Sequence, residues 1–386
     1  MTDHSPRRPA PARRTRQKPP GSVLVIATRQ IGDVLLTTPL IRRTRRLWPN
    51  AAIDVIGFAE TLGMIEGNPD IRRLIRAPSN GGAISILRFA VAQRLWRAYD
   101  LALVTQHSDR AHLLGFIAAP IRSGILPDVS GTLWWKRALV SHPVTLAGDR
   151  GDVHVVDEKL ALLKPWTSQP ERHVESVVAP PDAFLPVELE RSLRDPLVVV
   201  HVPSMWRYKQ WPVESFVELA NALVAAGMQV VLTGGDSAGD MQKVRQVADA
   251  LAEQGIDQGA VVNFCGALDF SQLTAVLRRS ALYIGPDTSV THLAAAVGTP
   301  TLALFGPTNP VRWGPRGPSG GIDEPWHPVM QLQTRGNVQL LQGDGSCVPC
   351  GRAGCDDHRE SRSACLESIR PERVIAAALV VLHAPT

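Results

Sequence analysis

Two stretches of this chain each alternate short β-branched runs with longer amphipathic segments, and that alternation leaves few architectures open. In the first stretch VLVIAT (23–28), IDVIG (53–57), LIRA (74–77) and LALVT (101–105) read as strands. LLTTPLIRRTRRLW and ISILRFAVAQRLWRAY, which fall between them, read as helices with basic outer faces, and Pro39 is expected to kink the first or delay its start. VHVVDEKLALL, after Gly151, also reads as helical. The pattern restarts with LVVVHV (197–202), QVVLTG (229–234), AVVNF (260–264), ALYIG (281–285) and TLALFG (301–306), again with helical segments between. Strands separated by helices belong to βαβ units and parallel sheets. The expected fold is therefore α/β, with two Rossmann-like doubly wound domains facing a cleft and a ligand at the carboxyl ends of strands from both.

Composition sharpens the division. The expected segments are a basic, proline-rich tail over 1–21, a first domain over 22–165, a polar connection over 166–196 and a second domain over 197–386. The net charge of +5 comes from the tail, because the first twenty residues hold six Lys or Arg and one Asp, leaving 35 of each sign elsewhere. A near-neutral body argues against a nucleic-acid groove, so no nucleic-acid partner is expected. Five prolines and no aromatic residue leave the tail too little apolar surface to offset the entropy of ordering. It lacks the apolar stretch of a secretory signal, and the run Val374 to Leu382 is too short to span a bilayer. The expectation is a cytoplasmic protein whose basic tail is either solvated or in peripheral contact with the inner membrane.

Four clusters hold residues able to carry chemistry. Asp33, in Arg29-Gln30-Ile31-Gly32-Asp33 after the first strand, either accepts a proton in the cleft or caps the following helix. Arg207 and Lys209, in the loop Ser204 to Pro212, either meet a phosphate or form an exposed basic loop anchored by Trp206 and Trp211. In Gly285-Pro286-Asp287-Thr288-Ser289-Val290-Thr291-His292, a strand turns into a helix whose first amides would suit a diphosphate. The alternative there is Asp287 as an N-cap and His292 as a core histidine. The fourth cluster is Cys347, Cys350, Cys355 and Cys365, four of five cysteines within nineteen residues, which hold a structural zinc or iron or stay reduced thiols. Cys265 reads as a buried apolar residue.

Together these motifs resemble glycosyltransferase family 9, the lipopolysaccharide heptosyltransferases, from Val23 to about Ile369. VLVIATRQIGDVLLTTPLIRRTRRLWPNAAIDVIG resembles the family's opening strand, Gly-Asp turn and helix, and WRYKQWPVESFVELANAL its lysine loop. YIGPDTSVTHLAAAVGTPTLALFGPTNPVRWGP is similar to its most specific signature, and the Cys347 to Ile369 segment to a cysteine pattern of many members. The resemblance implies a GT-B fold, an ADP-heptose donor in the second domain and a lipid A–core lipopolysaccharide acceptor in the first, with no cofactor required for transfer. It implies an inverting reaction with Asp33 as general base. Lys209 and the amides of Thr288 and Ser289 would hold the diphosphate, with His292 in the same turn, Asp287 at the sugar hydroxyls and Gly234 near the nucleoside. Ser289 stands where many relatives have glycine, and Gly234-Gly235-Asp236 lacks an acidic residue at the usual offset. Relatives that glycosylate autotransporter proteins and carry cysteine-bound iron offer a second reading, and a GT-B scaffold without turnover a third. Asp33, Lys209 and Asp287, all intact, favour turnover.

Overall fold

The structure, a computed structural model, describes residues 18–127, 134–145, 151, 153–167, 175–318 and 324–384. Most of the basic tail, residues 1–17, lies outside them. A first sheet is built from β1 (Ser22–Ile26), β2 (Ala52–Phe58), β3 (Arg73–Ala77), β4 (Leu101–Val104), β5 (Ile121–Ile125) and β6 (His142–Val144). All its pairings are parallel, in the order β3-β2-β1-β4-β5-β6. Alternation along β1 explains why helices cover both faces. Val23 and Val25 enter one core beneath α2 (Thr38–Leu47), while Leu24 and Ile26 enter another with α3 (Ala83–Ala92) and α4 (Asp109–Ala118). The remaining helices of this half are α1 (Ile31–Leu35), α5 (Trp134–Leu139) and α6 (Val155–Leu160).

After α7 (Val187–Ser192), the second sheet comprises β7 (Leu197–His201), β8 (Gln229–Thr233), β9 (Val261–Asn263), β10 (Leu282–Pro286), β11 (Thr301–Phe305), β12 (Leu332–Arg335) and β13 (Val338–Gln342). Its order is β12-β13-β11-β10-β7-β8-β9, with β12 alone antiparallel. Val198 and Val200 pack under α8 (Val213–Ala225), α9 (Ala238–Glu253) and α14 (Pro371–Leu382). Leu197 and Val199 face α10 (Phe270–Arg279) and α11 (Ser289–Val297). Two short helices, α12 (Pro310–Trp313) and α13 (Ala364–Glu367), follow β11 and the cysteine-rich loop. Strand order reverses between β1 and β4 in one sheet and between β7 and β10 in the other, the two positions where doubly wound sheets open a crevice. No helix among the described residues is long and apolar enough to cross a membrane.

Three local expectations are revised. The first helical segment splits: α1 ends at Leu35 and α2 starts at Thr38, so Pro39 falls in a first turn, where its missing N–H costs nothing. The segment after Gly151 is helical only to Leu160 and continues as a 3₁₀ turn over Ala161–Trp166, which contains Pro165. The third is α3, read as basic on its outer face. It ends at Ala92, and its solvent face carries Ile84, Leu87 and Val91 as well as Arg88.

Candidate active site

Asp33 owes its position to the abrupt turn from β1 into α1. Gln30 is the N-cap and its side chain makes no capping bond; Asp33 lies in the first turn and does not cap. Its carboxylate is 3.3 Å from Arg29 Nε and 3.9 Å from Lys159 Nζ, and the same Nζ donates to the Asp33 backbone carbonyl at 2.6 Å. Lys159 comes from α6 and is buried. Burial pushes its pKa down to about 8, with the nearby Asp33 carboxylate working the other way. A small cavity beside these groups is lined by Arg29, Asp33, Gln106, His107, Lys159 and Arg312, among others.

The second domain brings Lys209, on a 3₁₀ turn over Arg207–Lys209, to Asp287 at the end of β10. Lys209 Nζ donates to Asp287 Oδ2 at 2.5 Å. Burial alone would lower the lysine's pKa, but the Asp287 carboxylate outweighs it and the value rises. Burial opposes ionisation of Asp287 too, yet Lys209, with His292 adding to it, holds the carboxyl below its ordinary range. The pair is therefore an ammonium–carboxylate couple. His292 is buried and its pKa is pushed down to about 4, so the imidazole is neutral near pH 7. Thr288 is the N-cap of α11, extended and without a side-chain cap, which leaves the first amides of the helix for another acceptor. The capping role open to Asp287 on sequence grounds is thus not the one it takes.

The two halves meet here. A Cβ placed on Gly32 would lie 3.5 Å from the Ser289 Cα and 3.9 Å from His292 Cδ2, so α1 rests against the first turn of α11. The Asp33 charge acts on both Lys209 and His292. Around this contact runs a polar seam. Arg312 pairs with Glu158 at 2.5 Å, Arg316 binds Asp157 through two bonds of 2.6 and 3.0 Å, and His154 Nε2 donates to the Gly314 carbonyl at 2.9 Å.

Asp33, Lys209, Asp287, Ser289 and His292 thus converge, with Thr288 at the head of α11. Gly234 instead follows β8, where a Cβ would come within 2.7 Å of Cys265 Sγ and 3.0 Å of Pro203, so only glycine fits that turn. The cysteines do not assemble as a metal site. All are free thiols, with Cys347 and Cys355 exposed and Cys365 buried. Among the described residues no group of three His, Cys, Asp or Glu side chains is placed to hold an ion. Burial pushes the Cys365 thiol up to about 11, with the neighbouring Cys350, Cys347 and Cys355 thiols adding to it, and Cys355 Sγ accepts the Ala364 amide at 3.4 Å. The zinc or iron expected from spacing finds no support in this arrangement. Sequence reading passed over Lys159, Glu158 and Arg312. The signal was present in VVDEKL, where Lys159 shares a helix face with the apolar Val155 and Val156.

Two doubly wound domains closing on a cleft, with functional groups at the strand ends of both, define the GT-B class. The structure of Escherichia coli ADP-heptose lipopolysaccharide heptosyltransferase II matches with a TM-score of 0.70 at 21% identity, covering 94% of this chain and 98% of that one. A glycosyl transferase family 9 structure from Veillonella parvula matches with a TM-score of 0.71 at 21% identity, over 94% and 97%. Lipopolysaccharide heptosyltransferase 3 of Escherichia coli is 28% identical over 363 residues, which is 92% of this chain and 97% of the relative. Residues 88–323 match the model of glycosyltransferase family 9 (heptosyltransferase), and the chain belongs to that family. It is a glycosyltransferase.

Proposed function

We propose that the protein transfers a heptose from ADP-heptose to the inner core of lipopolysaccharide, with inversion at the anomeric carbon and Asp33 as general base. The observation that carries this reading is the approach of Asp33, from one domain, to Lys209, Asp287, His292 and the uncapped start of α11, from the other. The names of the relatives supply the sugar and the acceptor class. In this mechanism the Asp33 carboxylate takes the proton of the acceptor hydroxyl as its oxygen attacks the anomeric carbon from the face opposite ADP. One displacement gives inversion. Negative charge grows on the departing diphosphate, and Lys209 and the α11 amides answer it more strongly in the transition state than in the ground state. Asp287 keeps Lys209 charged until the diphosphate arrives and orients the donor sugar through its hydroxyls.

The test is incubation of wild type and Asp33→Ala with ADP-heptose and heptose-deficient lipopolysaccharide, read by acceptor mass. Wild type is expected to add one heptose and Asp33→Ala none, while the variant still binds ADP-heptose in calorimetry. An active Asp33→Ala enzyme refutes the base assignment, and donor binding without transfer by wild type refutes the acceptor. Lys209→Ala is expected to remove about 2–4 kcal/mol of transition-state stabilisation, seen chiefly in kcat.

A further inference from the structure

Helix α3 is amphipathic in an unusual sense, because both of its faces are apolar in part. Ile86 and Ala90 enter the core of the first domain, as does Leu95 just beyond the helix. On the opposite side Ile84, Leu87 and Val91 recur at i, i+3 and i+7 and remain 71, 53 and 70% exposed. Trp96, 68% exposed, extends the patch past the end of the helix. Single exposed apolar residues are ordinary, but four in one short segment, three of them on one helical stripe, mark an interaction surface.

The charges around the patch indicate its occupant. Arg88 lies on the same stripe, and Arg94 and Arg97 follow it, all three exposed, while Ala83 to Arg97 contains no carboxylate. Arg94 and Arg97 adopt φ values of +52° and +50°, an unfavourable region for residues with a Cβ, and the Arg97 guanidinium lies 6.0 Å from the centre of the Trp96 ring. An apolar stripe with Trp at its edge, in a segment whose only charged side chains are arginines, is complementary to a bilayer interface bearing anionic headgroups.

The N-terminal end of α3 lies on the side of the first domain that leads to the cleft. Arg110, at the start of α4, donates to the carbonyls of Pro78, Ser79 and Gly81 and so pins the loop entering α3. The residues just before α4, Gln106 and His107, line the cavity beside Asp33. We propose that the exposed face of α3 docks the protein on an anionic lipid surface. The choice of lipid as occupant rests in part on the proposed lipopolysaccharide acceptor, whose lipid A anchor resides in such a surface.

The test uses the full-length chain and vesicles of phosphatidylcholine alone or mixed with phosphatidylglycerol, with no sugar nucleotide present. Binding is expected only to the mixed vesicles, with slowed hydrogen exchange in a peptide covering 83–97. Leu87→Gln with Val91→Gln is expected to weaken sedimentation with vesicles roughly tenfold, and Arg88→Gln with Arg94→Gln to weaken it comparably at low salt. These side chains are exposed, and an unchanged melting temperature verifies that each variant folds. Unaltered vesicle binding in both variants would assign it to another segment, such as the basic tail, and overturn the proposal. A concentration-dependent dimer dissolved by Leu87→Gln, without vesicle binding, would overturn it in favour of a second copy of the chain. Because transfer is not measured, vesicle binding by a protein that fails to glycosylate lipopolysaccharide would uphold this surface while removing the proposed acceptor.

Discussion

Lys159 touches Asp33 twice, once through the backbone carbonyl and once electrostatically through the carboxylate, and both contacts bear on where the proposed base can point. Its buried ammonium, with a pKa near 8, holds the strand-to-helix turn in one geometry only while it is protonated. Wild-type kcat is therefore expected to fall as pH rises through about 8, with the KM for the donor little changed. Lys159→Arg, which keeps a charge at every accessible pH, is expected to lose that alkaline limb and retain much of the activity. Lys159→Met should reduce kcat at all pH values, about 10–100-fold on the scale of small misplacements at reacting groups. A pH profile of Lys159→Arg identical to wild type would sink this role. Asp33, Lys209 and Asp287 were legible in the sequence because each sits just beyond a strand, where doubly wound folds place their chemistry. Lys159 was not, because its burial exists only once α6 lies against α1, a contact between residues 126 positions apart.

The element that carries the proposed donor site is the β10-to-α11 connection, and its packing explains why residue 285 is a glycine. Tyr283 and Gly285 point to the same face of β10, and the tyrosine side chain lies along the strand with its hydroxyl over Gly285, where a Cβ would overlap it. That hydroxyl bonds Thr291 Oγ1 at 2.9 Å, and Thr291 donates in turn to the Pro286 carbonyl, which ties the first turn of α11 to the strand. Gly285→Ala is expected to displace Tyr283, cost about 1–3 kcal/mol of stability and weaken ADP binding, whereas Gly285 would tolerate alanine if space were available. Denaturant titration and calorimetry of the variant check both parts. Most strands and helices followed from periodicity, but the β12–β13 hairpin did not figure in the reading. Its cue was the Gly336-Asn337 turn, with Gly336 at φ +56°, inside a stretch too polar on its exposed strand to stand out. The outward face of α3 is only partly the basic one expected: its arginine is exposed, but Ile84, Leu87 and Val91 share that face, and apolar residues on two sides of a helix blur the periodicity that assigns a solvent side.

At the scale of the whole molecule, buried neutral histidines occur in both domains and between them. His112 lies in the first domain, bonded to the Ile125 carbonyl at 3.2 Å, and His201 in the second, 3.1 Å from Thr233 Oγ1. His154 bridges the seam through Gly314, and His292 faces α1 from α11. Burial pushes His112 and His292 down to about 4, His201 to about 3 and His154 well below its ordinary value. In the unfolded chain the same rings titrate near 6.5. Below that pH the unfolded state takes up protons that the folded state refuses, so this stability is complete above about 6.5 and is lost progressively as pH falls toward 4. For His112 and His292 the shift corresponds to a loss on the order of 3 kcal/mol each once the pH is well below the folded value. Asp287, held below the ordinary carboxylate range by Lys209, adds its own loss only at more acid pH, so the histidines act first. Urea unfolding is therefore expected to show stability dropping steeply between pH 6.5 and 4.5, with net proton uptake on unfolding at pH 5. Equal stability at the two ends of that interval would mean that the buried histidines are already charged in the folded protein. Because the loss includes the His154 bridge and the ring against Gly32, acid should loosen the domain seam along with the cores, and donor binding should weaken over the same pH interval.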